Sequence, residues 1–594
     1  MHCGQDNMPR ATRRNRRGAP HAGHLLAALL GFFCLSPATS MADKFDDVDH
    51  TKLANVLGIA TPTGSGVPIS QVEASNVDGA YYPVKTHSEF TAGTDPFSVE
   101  VDFDDGSGGE SNGTTSHATT TVGRNFYGNT FSMAPGANAV TIYSAGDWLD
   151  NVLNMDNGKN PLTESFRVQN FSWIASFADP NVSGYLWKEH PSNVNALQRF
   201  DYAIDNANSG EGMTAVVGLN NNTNPLPYLL SYSYNAIAVG RTDGVHSSGP
   251  TQSPAQDAYG PDRTKPDLVA PTTSTSAGTA FVSSAAAMMY EPVAGTDAVQ
   301  QSETMKALLL AGATKEEIPG WSNTEMQPLD SHFGAGELNV YNSYLMKVGG
   351  QTAGSTDGTG AAVNTVDTSG WDYRTFTSCD DPCSDDLYYN FEVPSDSTAT
   401  ELSIVMAWNV EVTDTSPGMT FSGSESLANL DMRLYDSTGS FLDSLVMSSR
   451  PSESISTVDN VEHIYQTNLG SGTYTLKVSG DSTRDFGLAW RLNLLRDEPS
   501  ADFNEDNNID GADFLAWQGG VGTLLGATLA DGDADGDGDV DSDDLAVLEA
   551  TFGAAAVLLS AVSVPEPGTL VLLMLTAALL LTLRRRGRGY SQLA

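Results

Sequence analysis

The sequence predicts an α/β fold with a doubly wound parallel sheet, followed by a β-sandwich and a small helical module with two acidic loops. Between residues 43 and 349, short apolar runs typical of buried strands alternate with helical segments such as Asn195 to Asn208. From Trp371 to Asn493 the pattern changes to short alternating strands separated by turns. Two acidic runs of similar spacing follow, at 502–513 and 533–544. We therefore expect several structured parts in this chain of 594 residues.

The beginning of the chain has the composition of an export signal. Arginines between Arg10 and Arg17 precede an apolar stretch from Leu25 to Leu35, and small residues follow. This pattern predicts a signal peptide over residues 1–42, cleaved after Ala42 or a few residues earlier.

The far end of the chain, residues 564–590, combines a proline motif, an apolar run and a basic cluster. Pro565-Glu566-Pro567 precedes an apolar run from Leu570 to Leu583 and a cluster of arginines. This unit resembles the PEP-CTERM sorting signal of bacteria with a cell envelope. The resemblance implies an exosortase-type sorting enzyme that cleaves near the Pro-Glu-Pro motif and leaves the protein at the cell envelope or outside the cell. A stable tail anchor with arginines inside the cell is the alternative.

Charge and cysteine content narrow the class of protein. The net charge of −43 argues against nucleic acid as a partner and fits an exported protein whose carboxylates bind calcium or keep it soluble. Cys3 and Cys34 lie in the predicted signal peptide. For Cys379 and Cys383 we expect a disulfide that closes a small loop, because a metal site would need two further soft ligands.

The segment from Lys265 to Met289 reads KPDLVAPTTSTSAGTAFVSSAAAMM. A strand-like stretch leads into small hydroxyl residues and then into an alanine-rich stretch of helical composition. A serine at a helix start lies beside backbone N–H groups that can stabilise an oxyanion. The segment resembles the serine block of subtilisin-like peptidases (subtilases), which reads roughly KPD-[IL]-x-APG and then GTS-x-A-x-P.

Two registers of this resemblance compete. If Gly278-Thr279-Ala280 is the GTS triplet, Ala280 replaces the nucleophile and the protein is inert. If Ser274-Thr275-Ser276 is the triplet, the residues through Met288 match the family pattern without gaps, and we therefore predict Ser276 as the nucleophile. In this register Ser274 replaces the motif glycine and Ala280 the motif proline. A small-residue core helix without chemistry is the alternative.

The segment SHATTTVGRNFYGNTFSMAPGA, from Ser116, resembles the histidine block of the same family, H-[GA]-T-x-VAG followed by GVAP. The resemblance implies His117 as the general base. The strand-like run VPISQVEAS ends near Glu73, where the family has an aspartate. Glu73 carries the same charge on a longer side chain, and we expect it to orient His117 and stabilise its charged form. Asp78 is the alternative carboxylate.

The run MTAVVGLN, from Met213, resembles the VVAAGN segment of subtilases and implies Asn220 as the side-chain oxyanion donor, with an asparagine-rich turn as the alternative. Acid, histidine, amide and serine follow one another in the subtilase order. The resemblance covers about Asp43 to Gly349. It implies a serine endopeptidase that cleaves protein or peptide substrates through an acyl-enzyme and needs no cofactor for catalysis; a degenerate, inactive surface scaffold is the alternative.

A Gly/Thr/Ser-rich linker is predicted over 350–370, before a sandwich over 371–498 that resembles the jelly-roll domains of secreted peptidases.

In the last module, residues 499–553, oxygen side chains repeat at the spacing of calcium loops. The predicted ligands are Asp502, Asn504, Asp506, Asn508, Asp510 and Asp513 in the first loop and Asp533, Asp535, Asp537, Asp539, Asp541 and Asp544 in the second. The pair resembles a dockerin type I module, which implies Ca²⁺ and a cohesin-like partner. A calcium module without a partner and a solvated acidic tail are the alternatives.

Overall fold

The computed structural model describes residues 44–552 except 94–98, 109–111, 176–190, 228, 252–258, 260–261, 316–317, 357–362, 378–385, 437–449 and 507. The predicted signal peptide, the predicted disulfide and the predicted sorting signal lie outside the described residues. Among the helices that the structure describes, none has both the length and the apolar character that a membrane crossing requires.

Helices and strands follow one another along the described residues. The helices are α1 (Lys44–Asp47), α2 (His50–Leu57), α3 (Arg124–Phe126), α4 (Ala145–Asp147), α5 (Pro191–Asn206), α6 (Thr275–Tyr290), α7 (Ser302–Gly312), α8 (Val340–Gly349), α9 (Gly511–Gly520) and α10 (Ser542–Thr551), with π-helical segments at His117–Gly123 and Trp148–Val152. The first strands are β1 (Ile69–Glu73), β2 (Asp102–Asp105), β3 (Ala139–Ser144), β4 (Val168–Phe171), β5 (Thr214–Gly218), β6 (Ile237–Arg241), β7 (Gly249–Pro250), β8 (Thr264–Lys265) and β9 (Leu268–Ala270).

A seven-stranded parallel sheet forms the first domain, with the strand order β2-β3-β1-β4-β5-β6-β9. All five residues of β1 are buried. Its alternating side chains serve different faces, because Ile69 packs in the core that contains α6 and Val72 in the core that contains α5. The predicted α/β sheet with helices on both faces is confirmed, and β1 carries its last residue, Glu73, to the carboxyl edge.

Helix α6 packs against β4, β5 and β6. Ser274 has an extended backbone and its Oγ accepts a hydrogen bond from the N–H of Ala277 (3.2 Å), which caps the helix. Inside the helix, Ser284 Oγ accepts from the N–H of Met133 (2.6 Å), and Ser283 Oγ accepts from Asn170 Nδ2 (3.0 Å). These bonds satisfy buried hydroxyls and join both the segment after His117 and strand β4 to the helix.

The strands from residue 369 onward are β10 (Ser369–Phe376), β11 (Leu387–Val393), β12 (Ser397–Ala407), β13 (Glu411–Asp414), β14 (Gly423–Ser426), β15 (Leu430–Tyr435), β16 (Glu453–Ser454), β17 (Val461–Leu469), β18 (Gly472–Gly480) and β19 (Arg484–Arg496). Eight of them form two four-stranded antiparallel sheets, β10-β19-β12-β17 and β11-β18-β15-β16. Apolar residues of both sheets share one core, so the sheets form a sandwich.

The sandwich packs directly on the first domain. Val405, Ala407 and Ala489 from the sandwich belong to the same apolar core as α6, α7 and α8. Ser403 Oγ donates a hydrogen bond to Ala311 O at the end of α7 (3.0 Å). In the described part of the predicted linker, the N–H of Gly354 donates to the carboxylate of a residue in β10 (3.1 Å). The sandwich and the first domain therefore share a continuous apolar core.

The last module contains α9 and α10, and a small apolar core that includes Phe503 and Leu548 holds them together. Trp517 Nε1 of α9 donates to Asp541 O (2.9 Å), which joins the first helix to the second acidic loop. The segment after β19 pairs with the second acidic loop, where the N–H of Ser500 donates to Ala534 O (2.9 Å).

Candidate active site and acidic loops

The carboxylate and the histidine predicted from the sequence are in contact. His117 begins the π-helical segment, and its Nδ1 lies 2.8 Å from Glu73 Oε2 at the end of β1. Glu73 is 1% exposed, whereas the side chain of His117 is 42% exposed. The hydrogen bond to Glu73 raises the pKa of His117 above its ordinary value, against the effect of burial. Asp78, the alternative carboxylate, lies exposed in a turn.

Two buried polar side chains that the sequence analysis did not select extend this pair. Gln71 Nε2 donates to Glu73 Oε1 (2.8 Å), and Tyr127 Oη donates to Gln71 Oε1 (2.6 Å). Both residues are fully buried. A glutamine two positions before the carboxylate, and so on the same face of a strand predicted to be buried, is the sequence signal that could have identified the first of them.

Ser276 lies in the first turn of α6, half-buried. Its Oγ donates to Ser172 O just after β4 (3.2 Å), and Ser172 Oγ donates back to Ser276 O (3.0 Å). Ala280, the residue at the nucleophile position in the competing register, is completely buried one turn further along. Within the described part of the chain, no hydrogen bond joins Ser276 Oγ to His117.

The amide beside the start of α6 belongs to Asn221. Its Oδ1 accepts from the N–H of Thr275 (2.7 Å) and from Thr275 Oγ1 (3.2 Å). The predicted donor, Asn220, pairs its backbone with Ser247 and turns its Nδ2 to Pro225 O (2.8 Å). The structure therefore brings Asn221 to the helix, and it does not bring Asn220 there, because the backbone pairing of Asn220 points its side chain away.

The two acidic loops have the same local geometry. Asp513 closes the first loop, with its Oδ1 accepting from the N–H of Phe503 (2.9 Å) and its Oδ2 from that of Asp510 (2.8 Å). Asp544 closes the second loop in the same way, accepting from the N–H groups of Ala534 (2.6 Å) and Asp541 (2.7 Å). Both closing carboxylates are buried. The remaining predicted side-chain ligands of the first loop include four exposed residues, Asn504, Asp506, Asn508 and Asp510.

The carboxylates of the second loop are crowded. Oxygens of Asp533, Asp535 and Asp537 lie within 4.8 Å of one another, and so do those of Asp539, Asp541 and Asp544. Burial raises the pKa of Asp533 to about 6 and the pKa values of Asp535 and Asp539 to about 7, and neighbouring carboxylates add to the increase.

The second loop also contacts the first domain. Lys52 Nζ of α2 lies 3.0 Å from Asp541 Oδ2, and Tyr341 Oη of α8 donates to Asp539 Oδ2 (2.9 Å). The other oxygen of Asp539 is buried, and among the described residues it has no hydrogen-bond partner. A crowded set of carboxylates with an unpartnered buried oxygen fits a hard cation such as Ca²⁺.

Comparisons with known proteins found similarity only among solved structures. No family model matches the chain, and no curated protein matches it. Similar structures include MycP1 from Mycobacterium smegmatis (16% identity, 52% of this chain, 86% of that chain, TM-score 0.29). Others are the self-cleaved protease domain of PatA (15%, 49%, 100%, TM-score 0.28) and the epidermin leader peptide processing serine protease EpiP from Staphylococcus aureus (16%, 51%, 80%, TM-score 0.32). TM-scores this low carry no argument about the function of this chain.

Proposed function

We propose that the chain is a serine-type endopeptidase. Ser276 is the nucleophile, His117 takes its proton, and Glu73 orients His117 and stabilises its charged form. One observation carries the proposal: a fully buried carboxylate at the end of β1 is hydrogen-bonded at 2.8 Å to a half-exposed histidine in the same domain as a helix-start serine. Burial keeps the pair aligned, and the exposed face of His117 remains accessible to a substrate.

The oxyanion in this proposal is stabilised by the backbone N–H of Ser276 and by the side chain of Asn221, because the N–H groups of Thr275 and Ala277 already donate to Asn221 and Ser274. The Oδ1 of Asn221 is held by Thr275, which leaves its Nδ2 available to donate. We therefore assign the side-chain donor to Asn221 rather than to Asn220. Loss of such a donor typically lowers turnover by roughly 10²–10³-fold. Attack also requires Ser276 Oγ to turn from Ser172 O towards His117. The hydrogen bond between a nucleophile and its base often tightens only when substrate is bound.

A second candidate function is an inactive subtilase-like scaffold that presents binding modules. It is favoured by one contact, the hydrogen bond of Ser276 Oγ to Ser172 O. Further parts of the proposal are an exported protein, protein or peptide substrates, an exosortase-type sorting enzyme, and calcium in the acidic loops with or without a cohesin-like partner. The support for calcium is the crowded carboxylate set of the second loop.

Labelling with a fluorophosphonate separates the two candidate functions. The wild-type chain should be labelled covalently, and Ser276→Ala should lose both the label and hydrolysis of a casein substrate. Ser274→Ala is the matched control, since it removes a hydroxyl of the same turn that caps the helix. It should lower both signals only in part. An unlabelled wild-type chain, or full labelling of Ser276→Ala, would contradict the proposal.

Glu73→Gln tests the role of the carboxylate. It should lower turnover by about 10³–10⁴-fold, because a neutral amide does not stabilise the imidazolium. Since Glu73 raises the pKa of His117, the substitution should also shift the acidic limb of the pH–rate profile to lower pH. Asp78→Asn is the matched control and should retain wild-type turnover and pH dependence. The opposite result would assign the acid to Asp78.

A further inference from the structure

Both the amide nitrogen and the amide oxygen of Gln71 form hydrogen bonds in the core below the candidate active site. Its Nε2 donates to Glu73 Oε1 (2.8 Å) and to Ala118 O (3.0 Å), and its Oε1 accepts from Tyr127 Oη (2.6 Å). Gln71 and Glu73 are two residues apart on β1, so both side chains project from the same face of the strand. The amide of Gln71 therefore contacts both the carboxylate of Glu73 and the backbone carbonyl of Ala118, the residue directly after His117.

One assignment of hydrogen-bond donors and acceptors satisfies this network. Both atoms that face Gln71 Nε2 are acceptors, so a flipped amide would direct its oxygen at a carboxylate and a carbonyl. Tyr127 must then donate to Gln71 Oε1. Burial, with the charge of Glu73, raises the pKa of Tyr127 well above its ordinary value, so its hydroxyl keeps the proton. The orientation of Gln71 is thus fixed by Tyr127.

Tyr127 is itself held firmly. Its ring packs against Phe90 and Phe103, with centroid distances of 5.3 and 5.9 Å. A Cβ atom on Gly123 would come within 2.7 Å of Tyr127 Oη, so the hydroxyl lies directly against the helical segment that begins at His117. Tyr127, Gln71 and Glu73 therefore form a buried chain of hydrogen bonds that ends at His117.

We propose that Gln71 and Tyr127 are positioning residues that hold Glu73 and His117 in their working geometry. This inference rests on the proposed function of the pair. A glutamate has one more rotatable bond than an aspartate, so its carboxylate needs an additional partner to stay in one place. Gln71 supplies it: the amide that fixes Glu73 Oε1 also holds Ala118 O, and so sets the distance between acid and base.

The test uses the full chain with two substitutions, Gln71→Met and Tyr127→Phe. Each should lower kcat by roughly 10- to 100-fold, a typical loss for a partner that orients a functional group, with little change in KM. The pKa of His117, measured by NMR on ¹³C-histidine-labelled protein and identified with His117→Gln, should fall because Glu73 is no longer held on Nδ1. Tyr290→Phe is the matched control, since it removes a buried hydroxyl bonded to Thr214 Oγ1 (2.9 Å).

The outcomes are distinguishable. A lower His117 pKa in both variants and an unchanged one in Tyr290→Phe support the positioning role, even if Ser276 proves not to be a nucleophile. An unchanged His117 pKa and kcat in Tyr127→Phe overturn the inference, as does an equal fall of both in Tyr290→Phe. If Gln71→Met does not fold, Tyr127→Phe decides alone, because it removes only one oxygen atom.

Discussion

The two acidic loops share a ligand pattern and a local fold, yet they differ in their surroundings. Four predicted ligands of the first loop are exposed, whereas Asp533, Asp539 and Asp544 of the second are buried. The second loop also contacts a lysine and a tyrosine of the first domain. A repeated spacing thus places oxygen ligands in different electrostatic environments, and its chemistry depends on its neighbours as well as on its spacing.

Lys52 is central to this difference. Burial opposes its charge, but Asp541 raises the pKa of Lys52 above its ordinary value, so the ammonium stays protonated beside the loop. The ammonium also lies over the ring of Tyr341, 4.4 Å from the centroid. A protein cation therefore already offsets part of the negative charge that a metal ion would neutralise. We expect the second loop to keep its position without calcium better than the first, because Lys52 and Tyr341 also join it to the first domain.

Removal of calcium should reveal the largest difference between the two loops. With calcium at about a hundred times its dissociation constant, binding stabilises a site by about 2.7 kcal/mol. A chelator should therefore accelerate amide exchange in α9, behind the first loop, by roughly 100-fold. In α10 the acceleration should be smaller, because Lys52 and Tyr341 hold the second loop in place. Hydrogen exchange on the full chain measures both helices, and equal acceleration would contradict the difference between the loops.

Lys52→Met should have an intermediate effect. Without the neighbouring cation, the second loop should bind calcium roughly tenfold more tightly, because a positive charge beside a ligand carboxylate opposes a dication. Calorimetry should be done in an Asp513→Ala background, so that binding at the first loop does not overlap. Lys159→Met removes one exposed positive charge elsewhere and is the charge-matched control. A weaker calcium affinity in Lys52→Met would show that the lysine supports the metal-bound form instead.

Tyr341→Phe should have the smallest effect. It removes the hydrogen bond to Asp539 Oδ2 and should lower the free energy of unfolding by about 1 kcal/mol in calcium-free buffer. Tyr344→Phe, on the same helix, is the matched control. Denaturant titration of the full chain measures both variants. An equal loss in the two would mean that the contact with the second loop contributes no measurable stability.

The contact between Glu73 and His117 could be predicted because each residue lies in a segment with a recognisable pattern, one a strand end and the other a polar block. The amide could not, because Asn220 and Asn221 both follow β5, and a step of one residue reverses the direction of a side chain. Tyr127 is 56 residues from Gln71, and no local pattern pairs them.

The predicted linker illustrates the same limit. Its Gly/Thr/Ser composition is typical of a flexible segment, but composition does not encode tertiary hydrogen bonds such as that from Gly354 to a carboxylate of β10. The strands of the sandwich could be predicted, because the alternation of apolar and polar residues is a local pattern. Its packing on α7 was not, because the apolar face that it covers is visible only once both parts are folded.

The continuous core between the sandwich and the first domain has a consequence for cooperativity. Val405, Ala407 and Ala489 lose their apolar partners if the first domain opens, and α7 loses its cover if the sandwich does. Exposed apolar surface of this kind is unfavourable in water. Residues 44–496 should therefore melt in a single calorimetric transition, and proteolysis at the described edges of the linker should release no folded fragment.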